Sequence, residues 1–208
     1  MVAIIDYGVG NLFSLSSSFS AIGENAVITG DPDVIRKADR ILLPGVGAFS
    51  DAIAKLRESG LVPVILEETE RGKPLLGICL GMQLLFDKSF EYGEYEGLGL
   101  IPGEIKPIAD VIDPELKIPH IGWNALHFSR ERSEIFKYLN ESDYVYFVHS
   151  YYGANCEEYV TATTEYSAVL TAAVQNKNVY GCQFHPEKSG NVGLKILKAF
   201  CELEGGKC

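Results

Sequence analysis

Short apolar runs rich in β-branched residues recur along the chain, separated by stretches whose apolar positions return every three or four residues. "VAIIDYG" (2–8), "RILLPG" (40–45), "PLLGIC" (74–79), "YVYFVHS" (144–150) and "VYGCQF" (179–184) read as strands, several of them too continuously apolar to be half exposed. Such strands belong to a sheet covered on both faces. Segments 11–22, 50–70 and 80–88 read as helices, and Ser189 is placed to cap a last one whose Val192, Ile196, Leu197 and Phe200 share a face. This alternation predicts an α/β fold, a doubly wound, mostly parallel sheet with flanking helices. From about 97 to 175 the pattern is strand-rich ("GLGLIPGEIKPI", "YVTATTEY", "AVLTAAVQNKNVYGCQF"), with "QNKN" as a hairpin turn. An antiparallel β excursion within the same domain is expected there. No repeat, low-complexity tract or composition shift marks a linker, so 1–208 is expected to form a single domain.

Composition narrows the function classes. At 208 residues and 47% hydrophobic, the chain can bury one substantial core. No apolar stretch approaches the ~20 residues of a bilayer span, and no basic segment precedes the apolar start, so a soluble, unexported protein is expected. The five cysteines (79, 156, 182, 201, 208) are odd in number and contain no Cys-x-x-Cys pair, which argues against a disulfide framework or zinc knuckle and fits a reducing cytoplasm. A net charge of -10 leaves little to neutralise phosphates, against a nucleic-acid or anionic-membrane partner.

In open α/β sheets, ligands bind beyond the carboxyl ends of the strands, and the residues there are the unusual ones. "DYGVGNL" starts a Gly-x-Gly but has Phe13 where a dinucleotide fingerprint needs its third glycine, so no dinucleotide cofactor is expected. In "PGVGAF", Gly45 and Gly47 serve equally well a tight turn or a loop that approaches a ligand closely. Gly77-Ile78-Cys79-Leu80-Gly81 has the form of a nucleophile elbow, in which flanking glycines relieve crowding at a strained strand-to-helix turn and the helix start favours thiolate. Most free cysteines are simply buried, but this spacing tilts against that for Cys79. Of the four histidines (120, 127, 149, 185), His185 alone directly follows a buried-strand pattern with a carboxylate two residues on. In an extended "HPE", Glu187 lies beside His185, the geometry of a base with its orienting carboxylate. Cys182 and His185 are three apart on a strand and face opposite ways, so no metal pair is expected. Cys156, Cys182, Cys201 and Cys208 read as packing or surface residues.

These motifs carry a resemblance. "GICLGMQ" with a distant "HPE" resembles the triad glutamine amidotransferases, and "DYGVGN", "PGVGAF", "IPHIGWN", "FVHSYY" and "QFHPEKS" together resemble the glutaminase subunits of imidazole glycerol phosphate synthases, from residue 2 to about 200. The resemblance implies that Cys79 attacks the glutamine amide, His185 relays the proton to ammonia and Glu187 holds the imidazole. It implies an oxyanion site from the N–H of Leu80 and one near Val46 or Gly47, and glutamine binding by Gln83, Ser150 and Tyr151, with His149 only positional. It implies a separate (β/α)8-barrel synthase subunit as the user of the ammonia, with Trp123, Tyr146 and Lys188 as docking candidates; the two aromatics fit a core equally well and the lysine a solvated surface. The elbow fits other amidotransferases too, and a stand-alone γ-glutamyl cysteine hydrolase or a non-catalytic subunit remains open.

Overall fold

The computed structural model describes residues 1–129 and 132–204; Cys208 lies outside the described residues. The first half runs β1 (Val2–Ile5), α1 (Leu12–Ala21), β2 (Ala26–Thr29), α2 (Pro32–Lys37), β3 (Arg40–Leu43), α3 (Phe49–Glu58), α4 (Val62–Glu70), β4 (Leu75–Ile78) and α5 (Leu80–Leu84). Two of the expected helices differ. The helix at 50–70 is two, because Gly60 turns the chain at φ +72 and Pro63 restarts it in the first turn of α4. The helix at 80–88 stops at Leu84, and Phe86–Ser89 becomes β5. Leu84, Leu85 and Phe86 are wholly buried, and a short run buried on every side carries no period to distinguish helix from strand.

The chain continues through β6 (Tyr95–Glu96), β7 (Ile101–Pro107), β8 (His120–Ala125), β9 (His127–Phe128), β10 (Tyr144–His149), β11 (Tyr151–Ala154), β12 (Val160–Tyr166), β13 (Ala168–Asn176), β14 (Val179–Cys182) and α6 (Gly190–Cys201). The eight-stranded main sheet has the order β2-β1-β3-β4-β14-β13-β12-β9, parallel from β2 to β14 and antiparallel beyond. Residues 175–178 make the hairpin turn, with Asn176 paired to Val179 and Lys177 at φ 53. The excursion also supplies a small sheet, β11-β7-β5-β6, and a two-stranded ribbon, β10-β8.

Strict alternation divides the core between the two faces of the main sheet. Val2, Ile4, Leu42, Leu76 and Ile78 pack with Leu15 and Phe19 of α1 and Ile196, Leu197 and Phe200 of α6. Ala3, Ile5, Ile41, Leu43 and Leu75 pack on the other face with Phe49, Ile53 and Leu56 of α3 and Ile65 of α4. This is the doubly wound arrangement the alternation predicts.

The 144–150 run departs from expectation. It lies outside the main sheet as β10, paired with β8 alone; Val145, Phe147 and His149 are buried, while Tyr144 is exposed and Tyr146 and Val148 half-buried. Its apolar continuity therefore comes from one core face and one partly exposed aromatic face. Ser189 does precede α6, but its hydroxyl makes no cap; it donates to the His185 carbonyl at 2.7 Å and accepts from Tyr146 N–H at 3.0 Å. Among the described residues, no helix is long and apolar enough to cross a membrane.

Candidate active site

The carboxyl ends of β3, β4 and β14 converge on one cleft. Cys79 follows β4 at φ 54, ψ -112, a conformation L side chains rarely adopt, and its N–H is fixed to the Cys182 carbonyl at 2.7 Å. Both flanking glycines are required by close approach: a Cβ on Gly81 would lie 1.9 Å from the Leu43 carbonyl oxygen, and one on Gly77 2.7 Å from the Gly81 carbonyl oxygen. Gly45 of "PGVG" packs onto the same elbow, its Cβ position 2.6 Å from Gly81 N. Gly47 differs. It takes φ +94 with open space around its Cβ position, so backbone conformation is what calls for glycine there. Because α5 spans only five residues, its dipole is weaker than a helix over 80–88 would supply.

His185 leaves the end of the β14 segment with its N–H bonded to the Tyr146 carbonyl at 2.9 Å. Its Nδ1 lies 2.8 Å from Glu187 Oε1, and both side chains are almost wholly buried. An extended "HPE" is not how they meet: Pro186–Lys188 forms a turn of 3-10 helix that folds Glu187 back onto the ring. Glu187 Oε2 is buried without a partner, so the carboxylate's one hydrogen bond is directed at the imidazole. Burial opposes charge on His185, but hydrogen bonding and charge from Cys79 and Glu187 outweigh it and raise the imidazole to about 9. An imidazolium beside the sulfur is the electrostatic partner a thiolate nucleophile needs.

The cleft, about 320 Å³, is lined by Cys79, Leu80, Val46, Gly47, Gln83, Ser150, Tyr151, His185 and Lys188, bringing together the elbow, the "PGVG" loop and the predicted substrate residues. Gln83 donates its amide nitrogen to Gln183 Oε1 at 2.9 Å and to the Tyr151 carbonyl at 3.4 Å. Trp123 and Tyr146 face each other across β8 and β10, ring centroids 6.0 Å apart, with Lys188 Nζ 5.9 Å above the Tyr146 ring. Trp123 is 51% exposed, and Ile121 and Tyr144 of the same ribbon are exposed too, so this is a surface cluster and the core alternative for Trp123 is excluded.

Two residues of the site's surroundings, Gln183 and Glu91, escape the sequence reading, as does the link between His149 and His120. Gln183, fully buried, directs Nε2 at Cys79 Sγ from 3.8 Å; its i, i+2 relation to His185 was a usable signal. Glu91 lines the cleft and accepts from Phe49 N–H, tying the start of α3 to the pocket; burial raises its carboxyl. Nothing in "FEYGEYEG" separates it from solvated acidic neighbours. His149 also lines the cleft, bonded to buried His120. The other thiols among the described residues are packing groups: burial raises Cys156 to about 11 and Cys201 to about 12, and raises Cys182 as well.

A strained cysteine at an elbow, paired with a buried His–Glu, defines a thiol-dependent acyl-transfer site. The family profile described as "Glutamine amidotransferase class-I" matches residues 3–202, and the chain belongs to that family. Within it, the chain is 47% identical over 204 residues to the "Imidazole glycerol phosphate synthase subunit HisH" of Oceanobacillus iheyensis, covering 98% of this chain and 99% of that one. It is 48% identical over 202 residues to the HisH subunit of Lactococcus lactis, covering 97% and 98%. Among solved structures, a "Crystal structure of glutamine amidotransferase" superposes with TM-score 0.77 at 19% identity, covering 99% of this chain and 100% of that one, and PurLQS from Thermotoga maritima with 0.76 at 20%, covering 96% of each.

Proposed function

We propose that this chain is the glutaminase subunit of an imidazole glycerol phosphate synthase, releasing ammonia from glutamine for use on a separate (β/α)8-barrel subunit in histidine biosynthesis. The observation that carries the proposal is the strained Cys79 with the buried His185–Glu187 pair, in a cleft of about 320 Å³ that suits an amino acid better than a nucleotide. The chain works as one domain over 1–208, in the cytoplasm, where Cys79, Cys156, Cys182 and Cys201 stay reduced.

The Cys79 sulfur, its proton already on His185 Nε2 while Glu187 holds Nδ1, attacks the side-chain amide carbon of glutamine. The tetrahedral oxyanion is met by the N–H of Leu80 and by one from Val46 or Gly47. Collapse breaks the C–N bond, and the proton on His185 leaves with ammonia. Water, deprotonated by His185, then cleaves the thioester to glutamate and returns the Cys79 sulfur beside a protonated His185. Glu91 is the carboxylate in the cleft available to the substrate ammonium, with Gln83 and the Ser150–Tyr151 backbone completing the amino-acid end. Ammonia passes toward the face carrying Trp123, Tyr146 and Lys188, where the synthase subunit docks.

The test is glutamate release from glutamine by the chain alone and with its synthase subunit. Release that rises strongly on adding the partner supports the assignment. Full-rate hydrolysis by the lone chain would make it a stand-alone hydrolase, and none in either case would leave a non-catalytic subunit.

A further inference from the structure

Behind the cleft, His149 on β10 sits opposite His120 on β8, and a line of hydrogen-bonding groups runs through them. The Tyr151 carbonyl lies 2.8 Å from His149 Nδ1, His149 Nε2 lies 3.0 Å from His120 Nδ1, and His120 Nε2 lies 3.0 Å from Asn124 Oδ1. Asn124 Nδ2 donates to the Glu165 carbonyl at 2.8 Å, which fixes the amide with its oxygen toward His120. The line therefore has an oxygen acceptor at each end. Its three links need three ring hydrogens, and two neutral imidazoles carry two. Only an imidazolium completes it.

The surroundings disfavour that charge. Burial holds both rings below the ordinary histidine range, His149 at about 4, and the charge of His185 adds to the effect on His149. Tyr166 and Phe147 stack on His120, the Asn124 and Glu165 contributions are uncharged amide groups, and Glu91 and Lys188 line the cleft beyond His149. At neutral pH the pair is neutral and one link is unmade. With hydrogens on both Nδ1 atoms, the Tyr151 carbonyl is held and a bare His120 Nε2 faces Asn124; with hydrogens on both Nε2 atoms, Asn124 is held and a bare His149 Nδ1 faces Tyr151. Of the two remaining arrangements, one opposes two bare nitrogens and the other two N–H groups in the buried centre, where water relieves them least.

The two ends belong to different surfaces. Tyr151 lines the glutamine cleft, whereas Asn124, half-buried, follows the exposed Trp123 on β8 and points to the opposite face of that strand, so a partner on the Trp123 face reaches it by shifting β8. We propose that His120, His149 and Asn124 are positioning residues forming a two-state relay, in which a partner seated on β8 loosens Asn124 from His120 and so favours the tautomers that hold the Tyr151 carbonyl and the glutamine-binding segment. By linkage, glutamine in the cleft strengthens docking by the same factor. The proposal rests on the glutaminase reading for its partner and substrate, but the tautomers do not.

The test combines nitrogen NMR of the imidazoles at neutral pH, for the free chain and the complex, with glutamine kinetics. Tautomers that move toward Nδ1–H on docking support the relay; an imidazolium at neutral pH, or identical tautomers free and docked, overturns it. Asn124→Ala removes the acceptor from a half-buried position, so the free chain should already favour Nδ1–H and its KM for glutamine should fall about fivefold, what one ordinary hydrogen bond supplies, with kcat little changed. Unchanged tautomers and KM would refute the relay. His120→Phe keeps the ring stacking and cuts the line; the fall in KM on docking should then vanish, and a full fall would refute the proposal. Absence of glutamate release by the unaltered complex would overturn the glutaminase reading, while the tautomers would still report on the relay.

Discussion

Gly47→Ala separates the conformational role of the "PGVG" loop from its packing. A Cβ at Gly47 meets nothing within 4 Å, so the added methyl costs nothing in contacts, and the whole penalty is that of an L residue at φ +94. That penalty is about 1–2 kcal/mol, and each kcal/mol moves the Tm of a chain this size by roughly 2–4 °C. The cheapest relief is to rotate the Val46–Gly47 region toward negative φ, which turns an N–H away from the oxyanion. Loss of one such donor costs about 10²- to 10³-fold in turnover. Glutamate release at saturating glutamine, measured in the complex alongside a thermal melt, should show kcat down by about 10²-fold, KM little moved and Tm down by only a few degrees, because the donor acts on the transition state. A kcat within a few-fold of the unaltered protein, together with that same Tm loss, would mean the loop absorbs the strain without serving the oxyanion.

Gly81→Ala should behave in the opposite way: its Cβ would sit 1.9 Å from the Leu43 carbonyl oxygen, so the elbow must move off β3, and melting should reveal a destabilisation of about 3 kcal/mol or more. His185→Ala should abolish glutaminase nearly as fully as loss of Cys79, and Glu187→Gln should cost less, since triad members act as a unit with unequal single costs; equal activity of both variants would contradict the triad. Because His185 is raised from 6.5 to about 9, its contribution to stability is whole below 6.5 and lost as pH climbs through 9; the Tm gap to His185→Gln should narrow over that range, and a constant gap would contradict the shift. Trp123→Ala should weaken partner binding by about 2 kcal/mol or more as an exposed aromatic anchor, read by titration of the partner; unchanged affinity would return Trp123 to an idle surface.

Legibility in the sequence followed the strength of local rules. The elbow was readable because its two glycines sit at fixed spacing about Cys79, although only Gly77 is dictated by contacts a few residues away and Gly81 answers to Leu43 on β3. Strands β1, β3, β4 and β14 were readable because burial on both faces leaves them continuously apolar, whereas the partly exposed edge strand β2 was not. The His185–Glu187 pair was found through an extended geometry that the chain does not adopt; a turn at Pro186 achieves the same proximity. Failures came where long-range contacts decide. Phe86–Ser89 is a strand because β7 and β6 pair with it, and β10 belongs to a separate ribbon because β8 does. Glu91 and the His120–His149 pair became visible only once the fold joined segments far apart in the chain, and Trp123, Tyr146 and Lys188, grouped through the resemblance alone, lie together although nothing in their spacing places them in contact.

The central claim is that Cys79 supplies ammonia and nothing else to the synthase. Cys79→Ala in the assembled complex, assayed for synthesis from glutamine and separately from ammonium salts, tests it most directly. The account predicts that glutamine-dependent synthesis disappears while ammonium-dependent synthesis continues at its normal rate. Loss of both would make Cys79 a structural residue of the complex, and survival of glutamine-dependent synthesis would place the nucleophile elsewhere.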